Sequence, residues 1–228
     1  MRPLASRMSR LGTETAFEVL ARARALEAKG RDIVHLEIGE PDFDTPPSIV
    51  AAGVAALERG ETHYTPSAGV VELREAIAAY ITRARGVRVD AAQVIVTPGA
   101  KPIMFYALLA ILDTGDEAIY PDPGFPIYSS MIDFSGARGV PLPLREERDF
   151  QPDLDELRSL VTARTKVLVL NSPHNPTGGV LSPETIREIA RIARERDLWV
   201  LADEIYAELI HDGTHRSERC VPSWMSSA

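Results

Sequence analysis

Residues 167–179 read VLVLNSPHNPTGG. The first four are an unbroken apolar run, the pattern of a strand buried on both faces. A loop with two prolines and two glycines follows: Asn171-Ser172-Pro173-His174-Asn175-Pro176-Thr177-Gly178-Gly179. Proline removes backbone freedom and glycine permits turns that other residues resist. An ordinary turn rarely needs this much control. Asn175 in such a loop presents its amide with little entropy left to lose. His174 has no second ligand at metal spacing, so it reads as part of the loop rather than a metal ligand. Ser182 then caps a helix with Pro183 at its first position and Arg196 near its end. Leu198 to Ala202 is the next apolar run. Strand, loop, helix and strand in this order predict a parallel pair within a sheet covered on both faces.

The same alternation runs back toward the N-terminus. Val140 to Leu144, broken by Pro141 and Pro143, reads as an edge strand. Ala118 to Tyr120 reads as a strand, followed by a helix from about Pro126 to Phe134. Val94 to Val96 reads as a strand, with Gly99 opening a helix through Leu112. Helices are also expected at 15–29 and 70–85, closed by Gly30 and Gly86. A further helix is expected from an N-cap at Thr45 to about Arg59, and a short strand over Ile33 to Ile38.

Ligands of parallel sheets sit at the carboxyl ends of the strands. Thr97-Pro98-Gly99-Ala100-Lys101 is either a plain strand-to-helix turn or a backbone cradle at a helix start that suits a phosphate. Asp203, in Ala202-Asp203-Glu204-Ile205-Tyr206, is either a helix cap or a carboxylate at the ligand face, with Tyr206 three residues on. Phe125, in Asp122-Pro123-Gly124-Phe125-Pro126, is either core or an aromatic ring at the site mouth. Gly39, in Ile38-Gly39-Glu40-Pro41-Asp42-Phe43, and Tyr64, in His63-Tyr64-Thr65-Pro66-Ser67-Ala68-Gly69, lie in two further loops.

Composition narrows the classes. The net charge of −8 disfavours sequence-independent nucleic-acid binding. No apolar run reaches the length of a membrane span. The arginines of MRPLASRMSRLG have no long apolar core behind them, which predicts no secretory leader and a cytoplasmic protein. A single cysteine, Cys220, excludes an internal disulfide framework and a cysteine-cluster metal site. No basic helix-turn-helix precedes the fold, which argues against a transcription regulator. Lysine occurs only at Lys29, Lys101 and Lys166.

The order and spacing of these loops resemble the class I/II aminotransferases, pyridoxal-phosphate enzymes of fold type I, in their aspartate-aminotransferase-like branch. The strongest pieces are NSPHNPTGG at 171–179, DEIY at 203–206 and LEIGEPDFDTP at 36–46, with YTPSAG at 64–69 and VVELREAI at 70–77 in support. The likeness runs from about Leu11 to Ser217. It implies a three-layer α/β/α large domain on a mostly parallel sheet over 46–216, incomplete at its C-terminus. An N-terminal arm and small-domain segment over 1–45 would precede it, and an atypical tail over 217–228 would follow.

The resemblance also implies roles. Asp203 would pair with the pyridine nitrogen, and Tyr206 would hydrogen-bond the ring oxygen. Asn175 would bridge that oxygen and the substrate carboxylate. Phe125 would stack on the ring and line the substrate. Gly99, Ala100 and Lys101 would hold the phosphate, and Gly39 would meet the substrate carboxylate. Tyr64 would reach the phosphate of the neighbouring subunit's cofactor, which implies a homodimer. The implied reaction moves an amino group between an amino acid and a 2-oxo acid.

One departure is sharp. In the family, the lysine that anchors the cofactor lies well beyond DEIY, and the arginines that grip the phosphate and the α-carboxylate lie further on. Twenty-five residues follow Asp203, and none is lysine. The chain therefore reads as the first part of an aminotransferase, with no catalytic residue of its own and SERCVPSWMSSA as a shifted or mis-assigned end. A fold-type-I lyase or decarboxylase, and a non-catalytic fragment that at most binds the cofactor, are the competing readings.

Overall fold

The computed structural model describes residues 2–12 and 15–210, with Thr15 described by its backbone alone. The expected tail over 217–228 lies outside the described residues. Residues 2–12 with 71–210 make one compact unit, and 15–70 make another.

The larger unit is built on four parallel strands in the order β2-β1-β3-β4. They are β1 (Glu117–Asp122), β2 (Arg138–Pro143), β3 (Thr165–Asn171) and β4 (Trp199–Asp203). The proline-broken strand lies at an edge, as expected. Alternate residues face opposite layers. On one face Ala118, Val167 and Val169 pack under α4 (Lys101–Ile111) and α5 (Ile127–Ser135), through Met104, Leu108, Tyr128 and Ile132. On the other, Ile119, Val140, Leu142 and Leu168 pack under α6 (Leu154–Leu160) and α7 (Pro183–Glu195), through Leu157, Ile189 and Ile192. This is the expected three-layer α/β/α arrangement. α3 (Val71–Arg85) belongs to the same unit. The N-terminal residues dock on α5, where the Gly12 amide donates to Ser130 Oγ at 2.9 Å.

Register sets up the site. Asn171 pairs with Asp203, so β3 and β4 end side by side. Asp122 ends β1 at the same margin of the sheet.

Three local expectations are corrected. Val94 to Val96 is not a strand: the Val94 carbonyl accepts from Arg74 Nε at 3.0 Å, and no ladder forms beside it. Ile33 to Ile38 also forms no ladder, and Val34 and Leu36 are exposed. Thr45 does not cap the second helix. The residue before a proline is pushed out of the helical region, so Pro46 stays extended at φ −52°, ψ 137° and α2 (Pro47–Glu58) begins one residue later. With α1 (Thr15–Glu27), α2 makes up the helical part of the 15–70 unit. α6 was not expected from the sequence; Asp153 caps it, accepting from the amides of Asp155 and Glu156.

Candidate active site

The loop after β3 is held by its own polar groups. Asn171 Nδ2 donates to the Asp203 carbonyl at 3.0 Å, and Asn171 Oδ1 accepts from the Asn175 amide at 2.7 Å. The Ser172 amide also donates to the Asp203 carbonyl, at 3.2 Å. The loop closes on itself: the His174 amide donates to Gly179 and the Gly178 amide to His174, both at 2.8 Å. His174 Nδ1 lies 2.8 Å from Thr177 Oγ1. Burial pushes the His174 pKa down, so the ring is neutral at neutral pH. His174 therefore shapes the loop. No group of three potential ligands that could hold a metal occurs among the described residues.

Asn175 and Tyr206 both line an open cleft of about 510 Å³, with Pro173, His174 and Leu209. Asp203 is half-buried beside them. Its Oδ2 accepts from the Tyr128 hydroxyl at 2.7 Å and its Oδ1 from the Ile205 amide at 3.3 Å. Burial first, and then the bond to Asp203, push the Tyr128 pKa far above the usual phenol range. Tyr128 therefore remains a donor. The segment after Asp203 is tied to α3 by an ion pair between Arg85 and Glu204 and a hydrogen bond from Tyr80 to Glu208.

Phe125 meets Tyr128 edge-on, with ring centres 5.8 Å apart and planes at 86°. Only glycine fits before it, because a Cβ on Gly124 would lie 2.2 Å from the Pro121 carbonyl oxygen. The Lys101 ammonium lies 5.9 Å from the centre of the Phe125 ring. The turn leading to Lys101 uses Gly99 at φ +89°, in the left-handed region that glycine enters freely. Ala100 stands at the N-cap of α4 without a side-chain cap, so the helix start offers its positive end to an anion.

The structure thus links Lys101, Phe125, Asp203 and Asn175 through a run of contacts, and Tyr206 follows on the turn after Asp203. Gly39 and Tyr64 lie in the 15–70 unit, exposed. The structure brings in two residues to which the sequence assigns no individual role: Tyr128, and Asn171 at the head of the proline- and glycine-shaped loop. A polar residue ending an apolar strand was a signal for Asn171. A tyrosine one turn beyond Phe125, on the inward face of a short helix, was a weaker one.

The family model for aminotransferase class I and II matches residues 31–222. A probable aspartate/prephenate aminotransferase of Thermus aquaticus is 44% identical over 217 residues, 95% of this chain and 57% of that protein. Its counterpart in Aquifex aeolicus is 42% identical over 208 residues, 91% of this chain and 53% of that protein. The structure of Thermus thermophilus aspartate aminotransferase with maleate superposes with a TM-score of 0.93 at 42% identity, covering 97% of this chain and 58% of that one. The chain therefore spans just over half the length of the relatives it matches. It belongs to the class I and II aminotransferase family.

Proposed function

We propose that this chain carries the cofactor-holding face of a pyridoxal 5′-phosphate-dependent aminotransferase, which moves an amino group between an amino acid and a 2-oxo acid. The observation that carries this reading is Asp203: a half-buried carboxylate at the end of β4, fixed by Tyr128, with Asn175 and Tyr206 on the adjoining cleft.

The residues present fit the non-covalent contacts of the cofactor. Asp203 supplies the negative partner that keeps a pyridine nitrogen protonated. Tyr206 would donate to the ring oxygen, and Asn175, on the same cleft, would serve that oxygen and the substrate carboxylate. Phe125 offers an apolar face to the ring. Gly99, Ala100 and Lys101 bring the start of α4 to the phosphate. When bound, pyridoxal phosphate supplies the electron sink for the substrate's Cα. Gly39 as a substrate contact, Tyr64 as a contact to a partner subunit's cofactor, the homodimer and a cytoplasmic setting complete the reading on sequence grounds.

The covalent anchor is a separate matter. Lys166 is paired with Asp116 at 2.8 Å, at the opposite end of β3 from Asn171. Lys29 lies in the 15–70 unit. Proton transfer at Cα, worth about 10²–10⁴-fold in general acid–base catalysis, therefore has no assigned base in this chain.

Titration with pyridoxal phosphate, followed by absorbance and fluorescence, tests the reading. Weak, reversible binding is expected. Asp203→Ala should weaken it about tenfold, the scale of one charge-assisted hydrogen bond. Equal affinity in parent and variant would remove Asp203 from the site.

A further inference from the structure

The geometry points to Tyr128 as a positioning residue that sets two parts of the cofactor site at once: its hydroxyl fixes the Asp203 carboxylate and its ring edge fixes Phe125. This rests on the cofactor reading above.

Tyr128 is fully buried, packed within the cluster formed by Met104, Leu108, Val167 and Val169. A tyrosine in such a place normally finds a partner for its hydroxyl. Here the partner is Asp203 Oδ2 at 2.7 Å, contributed from the end of β4. Residues of α4 and β3 enclose the ring. The carboxylate is thus held by a group anchored in the core rather than by a mobile surface side chain.

The second contact comes from the same ring. Phe125 meets it in a T-shaped arrangement at 5.8 Å, a preferred geometry for aromatic pairs. The Tyr128 amide also donates to the Phe125 carbonyl at 3.1 Å. The loop carrying Phe125 and the first turn of α5 therefore move together. One buried side chain couples the aromatic face to the carboxylate, although Phe125 follows β1 and Asp203 ends β4.

The chemistry favours a phenol here over a charged donor. A neutral hydroxyl occupies one lone pair of the carboxylate and leaves its negative charge intact. The Ile205 amide takes a position on Oδ1 at 3.3 Å. Lone pairs remain for a cationic N–H, and the net charge facing that cation is still −1. An arginine or lysine in place of Tyr128 would neutralise the pair and weaken its hold on a pyridinium.

The test uses the full chain with Tyr128→Phe, which keeps the ring, and Tyr128→Leu, which removes ring and hydroxyl. Asp203→Asn and the double variant Tyr128→Phe/Asp203→Asn complete the set, with folding checked by circular dichroism. Without cofactor, ¹³C NMR of labelled aspartate at neutral pH should show the Asp203 carboxyl resonance displaced in Tyr128→Phe, because the hydroxyl that donates to Oδ2 is gone. Pyridoxal phosphate affinity should fall about fivefold in Tyr128→Phe and further in Tyr128→Leu. In the Asp203→Asn background Tyr128→Phe should add little, the mark of two residues acting as a unit. An unchanged Asp203 carboxyl resonance, or equal and additive losses in both backgrounds, would overturn the positioning role while leaving the cofactor reading intact. A parent chain that binds no pyridoxal phosphate, or Asp203→Asn binding like the parent, would overturn both.

Discussion

Glu117 is a buried carboxylate of the larger unit, met by three side-chain partners. It opens β1, at the opposite margin of the sheet from Asp203, and is 1% exposed. Thr162 Oγ1 donates to it at 2.6 Å, Arg164 Nη2 at 2.7 Å and Arg138 Nη1 at 3.2 Å. The Thr162 hydroxyl, then the guanidinium groups, hold its pKa below the ordinary carboxylate range against the effect of burial. A lowered folded-state pKa stabilises the fold above the unfolded value of 4.5, and the contribution is lost as pH falls through the lowered value. Both arginines are largely solvent-exposed, so their share is discounted. Glu117→Gln should cost about 1–3 kcal/mol at pH 7, with the gap from the parent narrowing as the pH falls below 4.5; urea unfolding at several pH values measures both. None of this was legible in the sequence, because the partners lie 21, 45 and 47 residues away. The same applies to Tyr128, 75 residues from Asp203. Asn175, Asp203 and Tyr206 stand out as candidates because strand ends and shaped loops are local signals, while their individual roles come only from the family resemblance.

Among elements, local signals succeeded where the chain supplies its own reasons. α7 is the clearest case. Ser182 Oγ accepts from the Thr185 amide at 3.0 Å, Pro183 follows, and Ile186, Ile189 and Ile192 are buried at helical spacing. Ser182→Ala should lower stability by about 1 kcal/mol, read as a lower urea midpoint with an unchanged slope. Strands are different, because a strand exists only through its neighbour. Val94 to Val96 has strand composition, yet Arg74 takes its carbonyl, and Ile95 is 67% exposed. Ile33 to Ile38 fails in the same way. α6 was missed for the opposite reason: seven residues are too few for a period to declare itself beside a charged stretch.

At the scale of the molecule, the positions of the lysines decide what the chain can do with an aldehyde cofactor. Lys166 is held protonated by Asp116, which raises its pKa, and lies a strand's length from Asn171. Lys29 is in the other unit, and Lys101 sits beside Phe125 at the start of α4. Borohydride reduction in the presence of pyridoxal phosphate, followed by peptide mass spectrometry, should therefore give scattered, substoichiometric labelling. A single stoichiometric adduct on Lys101 or Lys166, together with turnover of an amino acid and a 2-oxo acid, would contradict this.

The strand order β2-β1-β3-β4 also has a consequence in time. A ribosome releases the chain from the N-terminus, so α4, the Phe125 turn, Tyr128 and the Asn171 loop all emerge before Asp203. β1, β2 and β3 can pair as soon as they clear the exit tunnel, and β4 then adds to the waiting margin of β3. Of the residues linked by contacts from Lys101 to Asp203, the carboxylate emerges last, with its hydrogen-bond donor Tyr128 already in place. Until β4 docks, the Tyr128 hydroxyl has yet to meet its acceptor.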